Sequence, residues 1–299
     1  MSRSTEPGRR RVRGWRRLVW PVAAVIAIVW AAVACGGTSQ PTSPAQTSPA
    51  QTSPAQTSPA QTSPAASNGK YCLPLVVPAY FYSSAIWAQA ADSKSAPSDI
   101  ILDISGVGAG NAPEAHFQAV VKQAEAAGET VLGYISTVDG QRSASQVETD
   151  VRNYKAWYGV TSIFLDRVSG EPQQLAYYQQ VVNYIHGFDA GSSVWLNPGD
   201  YPDQQYMSIG NVVMVFEGTY AQYLTLQVPS WVDSYPASKF AHTIYATSAA
   251  DLANALKLAT SRRGGHVYVT DGSGANPYAG LPSYWSSEDS IASSGCAAG

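Results

Sequence analysis

Two carboxylates stand directly behind apolar runs, Asp166 after Ser162-Ile163-Phe164-Leu165 and Glu217 after Val212-Val213-Met214-Val215-Phe216. Runs of this kind read as buried strands. In parallel α/β proteins, ligands sit outside the carboxyl ends of strands, so an acid at such an end suits chemistry. Alternation places Phe164 and Asp166 on one face of the strand, with Ile163, Leu165 and Arg167 on the other. Asp166 has a plainer alternative as the start of the next helix or as a partner for Arg167. For Glu217 the alternative is a structural bond at a rim. Taken together, two such acids suit cleavage of a glycosidic bond. One carboxyl group protonates the leaving oxygen, and the other attacks or activates water.

The remaining strand ends carry groups that fit the same chemistry. They are Tyr80 and Tyr82 behind the first, Asp103 on the second, Tyr134 with the later Arg142 on the third, and Asn197 on the fifth. Tyr245 ends the seventh and Asp271 follows the eighth, although Asp271-Gly272 is also a turn signal. Aromatic rings offer flat apolar faces to sugar rings, and Asn, Arg and Tyr offer hydrogen bonds to hydroxyls. Other chemistries find little support. His116, His186, His242 and His266 show no metal-ligand spacing, so no metal is expected. There is no GxSxG nucleophile elbow, and Gly106-Val107-Gly108-Ala109-Gly110 lacks both dinucleotide spacing and a phosphate-loop lysine. No cofactor is expected.

The elements that must position these residues follow from the pattern after residue 70. Strands are predicted over 73–82, 99–105, 130–137, 162–168, 194–197, 212–217, 240–246 and 266–270. Helices are predicted over 114–127, 144–157, 173–186 and 249–261, with Gly128 and Gly264 at helix-terminating positions. Eight strands, each followed by a helix or long loop, predict a (β/α)8 TIM-type barrel. A doubly wound open sheet is the alternative, since the fifth strand is short.

The first 17 positions hold seven of the 18 basic residues and only Glu6 among the 21 acids. Without them the chain has 11 basic and 20 acidic residues, a net of −9. Nucleic acid is therefore an unexpected partner, and a neutral or cationic substrate fits better. The arginine-rich start precedes an apolar run, Leu18 to Ala34, ending in Ala32-Val33-Ala34-Cys35. Residues 1–35 are expected to be an export signal. They read as a lipobox with Cys35 lipidated, a signal peptidase site, or an uncleaved membrane anchor. Residues 36–70 hold four copies of Gln-Thr-Ser-Pro-Ala and are expected to be an extended linker. In an oxidising compartment Cys72 and Cys296 would pair, joining the ends of a 71–299 domain. The expected product is a monomer at the cell surface.

The segments Val77-Pro78-Ala79-Tyr80-Phe81-Tyr82, Leu132-Gly133-Tyr134 with Thr137 and Arg142, and Ile163-Phe164-Leu165-Asp166 resemble the spherulin-4-like family. So do Leu196-Asn197-Pro198-Gly199, Phe216-Glu217, Asn276-Pro277-Tyr278 and Leu281-Pro282-Ser283-Tyr284-Trp285. The resemblance implies a barrel related to glycoside hydrolases of galactosamine-containing polysaccharides. It implies an active site built from an acidic pair ending strand four and a glutamate ending strand six, matched here by Asp166 and Glu217. Arg167 replaces the second acid of the pair, and Gly106-Val107-Gly108-Ala109-Gly110 replaces a glycine-proline-glycine after strand two. If Arg167 lay close it would depress the Asp166 pKa and argue against a general acid there. The expectation is thus an exported polysaccharide hydrolase, and the competing one is a silent surface protein that binds glycans.

Overall fold

Runs such as Val76–Ala79 and Asp99–Leu102 have no polar face to offer water, so they form strands covered on both sides. These are β1 and β2. The others are β3 (Thr130–Ser136), β4 (Ser162–Asp166), β5 (Val194–Leu196), β6 (Val212–Thr219), β7 (Phe240–Tyr245) and β8 (His266–Val269). The structure is a computed structural model and describes residues 70–93 and 98–296. The expected signal at 1–35 with Cys35, and all of the 36–70 linker except Lys70, lie outside the described residues.

All neighbouring strands pair in parallel, in the order β1 to β8. Leu75 bridges Val267 in parallel, and the Val267 N–H donates to the Pro74 carbonyl. These contacts bring the last strand back to the first, which gives a (β/α)8 barrel and excludes the open sheet. Pro78, with no N–H to donate, sits in β1 beside that thin seam.

Seven helices lie among the described residues: α1 (Ser84–Ala91), α2 (Ala115–Ala126), α3 (Ala144–Tyr158), α4 (Leu175–Phe188), α5 (Tyr220–Leu224), α6 (Leu252–Ser261) and α7 (Trp285–Ala292). None is long and apolar enough to cross a membrane. Helix α3 starts in a capping box between Ser143 and Gln146 and stops at Gly159, whose φ of 79° is left-handed. The four helices read from the sequence are present; α1, α5 and α7 are short and were not predicted. Gly264 does not terminate α6 as expected. Arg263 takes the left-handed φ of 64°, and Gly264 is small because a Cβ there would lie 2.9 Å from His242 Nδ1.

Cys72 is joined to Cys296, with Cα atoms 4.6 Å apart. This link precedes β1 and follows α7, so it lies at the end of the barrel away from the strands' C-termini.

One glycine bears on the site. Gly133 of β3 has no room for a Cβ, which would stand 2.8 Å from the Tyr154 ring. Tyr154 is fully buried and donates to the carbonyls of Leu102 and Tyr134. Gly133→Val is expected to cost about 1–3 kcal/mol by overpacking. It would also displace the neighbouring Tyr134. Urea unfolding checks this, and an unchanged midpoint would show that the ring moves aside freely.

Candidate active site

Asp166 is the last residue of β4, and Asn197 directly follows β5. The Asn197 Nδ2 donates to Asp166 Oδ1 and to Glu217 Oε2, each at 2.8 Å. Both acceptor oxygens therefore lie within twice that distance, 5.6 Å, of each other. Asn197 Oδ1 accepts the Gly199 N–H at 2.9 Å, which fixes the amide's orientation and leaves its nitrogen to face the carboxylates.

Glu217 reaches this place through an irregularity in β6. Met214 pairs with Ala241, but the next pairing is Phe216 with His242, so Val215 is extra. Met214 Sδ accepts from Thr243 Oγ1, on the inner side of β7. Strict alternation from Met214 would put Phe216 inside and Glu217 outside. The bulge resets the alternation. Phe216 packs on Tyr223 of α5, with ring centroids 4.6 Å apart, and Glu217 turns inward.

Each carboxylate has its own tyrosine. The Tyr134 hydroxyl donates to Asp166 Oδ2 at 2.7 Å, and the Tyr278 hydroxyl donates to Glu217 Oε1 at 2.9 Å. Tyr80 lies between these tyrosines, edge-on to both, with centroids 5.7 and 5.6 Å away. Tyr245 packs edge-on against the outer side of the group, 6.4 Å from Tyr278. Burial, first, and nearby carboxylates, second, hold the phenols of Tyr80, Tyr134 and Tyr278 far above their ordinary pKa, so all stay neutral donors.

Burial pushes the Asp166 carboxyl up to about 6, and the Glu217 charge adds to the rise. Hydrogen bonds from Tyr134, the Arg167 backbone and Asn197 oppose it. Two carboxylates this close repel when both are charged, so Glu217 favours the protonated form of Asp166.

Arg167 does not exert the feared influence. Its φ of 50° turns the chain at the end of β4, and its guanidinium meets Asp139 Oδ2 at 3.1 Å, with the side chain 51% exposed. The same corner holds Val138 at φ 51° and Asp139 at φ 55°, zipped to β4 by Thr137 and Asp139 bonds to the Asp166 and Arg167 carbonyls. Three non-glycine residues in the left-handed region mark stored strain, which the surrounding bonds hold in place.

Arg142, expected as a substrate ligand, is instead occupied by the protein. It donates to the carbonyls of Val107 and Ser136 and pairs with Asp150 at 2.6 Å. Asp103 closes an Asx turn, accepting the N–H groups of Ser105 at 3.1 Å and Gly106 at 2.7 Å. Asp271 likewise accepts from the Ser283 N–H and hydroxyl. Tyr82 stands at the rim, 62% exposed and stacked on His116 with centroids 3.9 Å apart. Of the residues expected at the site, Asp166, Glu217, Asn197, Tyr80, Tyr134 and Tyr245 are therefore brought together. Tyr278 and Thr243 join them unannounced. Tyr278 comes from the loop after β8, where no periodicity points, and only the Asn-Pro-Tyr motif hinted at it. Among the described residues, no group of three or more His, Cys, Asp or Glu side chains could hold a metal ion.

Fold and site together define a (β/α)8 barrel with a hydrogen-bonded carboxylate pair at the C-terminal ends of β4 and β6. The chain belongs to spherulation-specific family 4, whose family model matches residues 74–291. It is 32% identical over 232 residues to spherulin-4 of Physarum polycephalum, covering 73% of this chain and 69% of that protein. Among solved structures it resembles Aspergillus clavatus Sph3, crystallised in complex with GalNAc. That match has a TM-score of 0.65 and 22% identity, and covers 75% of this chain and 98% of Sph3.

Proposed function

We propose that this protein is an exported glycoside hydrolase that cleaves a neutral or amino-sugar-containing polysaccharide with Asp166 and Glu217. The observation that carries this reading is the single Asn197 nitrogen bonded to both carboxylates, because it holds them at a separation that chemistry can use. The two oxygens that share Asn197 lie no more than 5.6 Å apart, which favours the close carboxyl pair of retaining enzymes, roughly 5–5.5 Å, over the about 6.5–9.5 Å of inverting ones. One carboxylate then attacks the anomeric carbon while its partner protonates the leaving oxygen. In the second step the partner, now a carboxylate, takes a proton from water as that water attacks the anomeric carbon, which breaks the sugar–enzyme bond and restores both carboxyl groups. Neither Arg142 nor Arg167 turns a cation on the pair, which supports a substrate without acidic groups at the cleaved sugar. The GalNAc bound to Sph3 supports an N-acetylhexosamine as ligand. The Cys72–Cys296 link supports an oxidising location outside the cytoplasm, with Cys35 as the lipid-bearing residue. Release of reducing ends from a panel of polysaccharides tests the activity, and the anomer first released tests retention. Binding without turnover would make this a silent glycan-binding protein.

The pH profile provides a further check. With Asp166 as the carboxyl group that supplies the proton, that proton is lost as pH rises through about 6. The ratio kcat/KM should therefore fall about tenfold per pH unit on the alkaline side of that point. A rate still climbing at pH 8 would contradict a proton supplied by Asp166.

A further inference from the structure

Around the carboxylate pair the polar groups are paired, apart from the hydroxyls of Tyr80 and Tyr245. Tyr134 is bonded to Asp166, Tyr278 to Glu217 and Thr243, and Asn197 to both acids and Gly199. The Tyr80 hydroxyl has no hydrogen-bond partner among the described residues, although its own backbone N–H is tied to the Pro78 carbonyl at 3.0 Å. Tyr80 is only partly buried and its oxygen is not among the enclosed unpaired polar atoms, so it is open to the cleft and free to meet a ligand.

Its surroundings show what that could be. The rings of Tyr134 and Tyr278 meet Tyr80 edge-on at interplanar angles of 77° and 86°. Each of those rings is locked by its bond to a carboxylate, so Tyr80 is held from two sides. Burial of its ring first, and then the charges of Asp166 and Glu217, keep its proton on. A neutral donor is thus fixed beside the space that both carboxylates share.

We propose that the Tyr80 hydroxyl donates a hydrogen bond to an acceptor oxygen of the sugar being transferred, a hydroxyl or an acetamido carbonyl, and so sets that sugar across the two carboxylates. This inference rests on the hydrolase reading. The bond is directional and comes from a rigid donor, so it orients the sugar without reorganising the protein. Tyr134 and Tyr278 cannot serve this way, since their protons are committed to the acids.

The test is Tyr80→Phe in the full chain, assayed on a polysaccharide that the parent cleaves. The expected result is a 10- to 100-fold loss of kcat/KM. The melting temperature should be unchanged, because the removed hydroxyl bonds no protein group, and the pH optimum should stay in place. Tyr134→Phe is the control that should move the pH profile, since it removes a donor from Asp166 itself. Parental kcat/KM in Tyr80→Phe would overturn the inference while leaving the hydrolase reading intact. Equal loss of activity and of melting temperature would also overturn it, by showing a structural role. A parent that cleaves nothing in the panel would overturn the hydrolase reading, and this inference with it.

Discussion

Asp166→Asn is expected to lower reducing-end release by about a thousandfold or more while making the protein more stable. The two effects share one cause. Burial and the Glu217 charge lift the Asp166 carboxyl from 3.8 to about 6, so the folded protein binds this proton more tightly than the unfolded chain does. Stability therefore declines as pH rises from about 4 through 6 and stays at its lower level above. At neutral pH the ionised group costs on the order of 2–3 kcal/mol, which the amide removes. An Asn at this position can still accept from Asn197 and exchange a bond with Tyr134. Glu217→Gln should lose activity to a similar degree, since it removes the other half of the pair. Denaturant melts at pH 7, run beside the activity assay, read both effects. Parental activity in either variant would remove that residue from the mechanism, and a destabilised Asp166→Asn would show that its hydrogen bonds outweigh its desolvation.

The double variant Cys72→Ser, Cys296→Ser should show the opposite separation, with activity retained at 25 °C and stability reduced. The link spans 224 residues, and constraining so long a loop in the unfolded chain gives a disulfide about 2–5 kcal/mol. For a domain of this size that corresponds to a fall in Tm on the order of 10 °C. Other bonds hold the same ends together. Leu73 donates to Ala292, and Tyr71 donates to Ser294, each at 3.1 Å. The barrel should therefore still close without the link. Its distance from the carboxylates, at the other end of the strands, is the reason activity should persist. Melting in the presence and absence of reductant measures the effect, and coincident curves would show that the link adds nothing.

Much of the architecture was legible in the chain because it depends on local composition. Eight apolar runs with helical stretches between some of them could be counted, and each became a strand. The ends of those runs also named Asp166, Glu217, Asn197, Tyr80 and Tyr134, since a strand that stops at a polar residue presents it at the rim. Alternation within β4 separated Asp166 from Arg167, and the structure keeps them apart. Missed helices were short: α1, α5 and α7 have eight residues or fewer, too few to show a helical period.

What the chain by itself could not decide were matters set between elements distant in sequence. Counting from Met214 by twos puts Glu217 on the wrong side of β6, and only the pairing with β7, which leaves Val215 over, turns it inward. Arg142 reads as a site residue by position, but Asp150 and the carbonyls of Val107 and Ser136 claim its guanidinium. Tyr278 reads as loop, yet the fold returns that loop over the barrel mouth to Glu217. Amino-acid order determines which groups stand at strand ends, because that is a property of each strand alone. The register between strands and the path of the loops decide which groups meet, because a carboxylate pair is made only where separate elements converge.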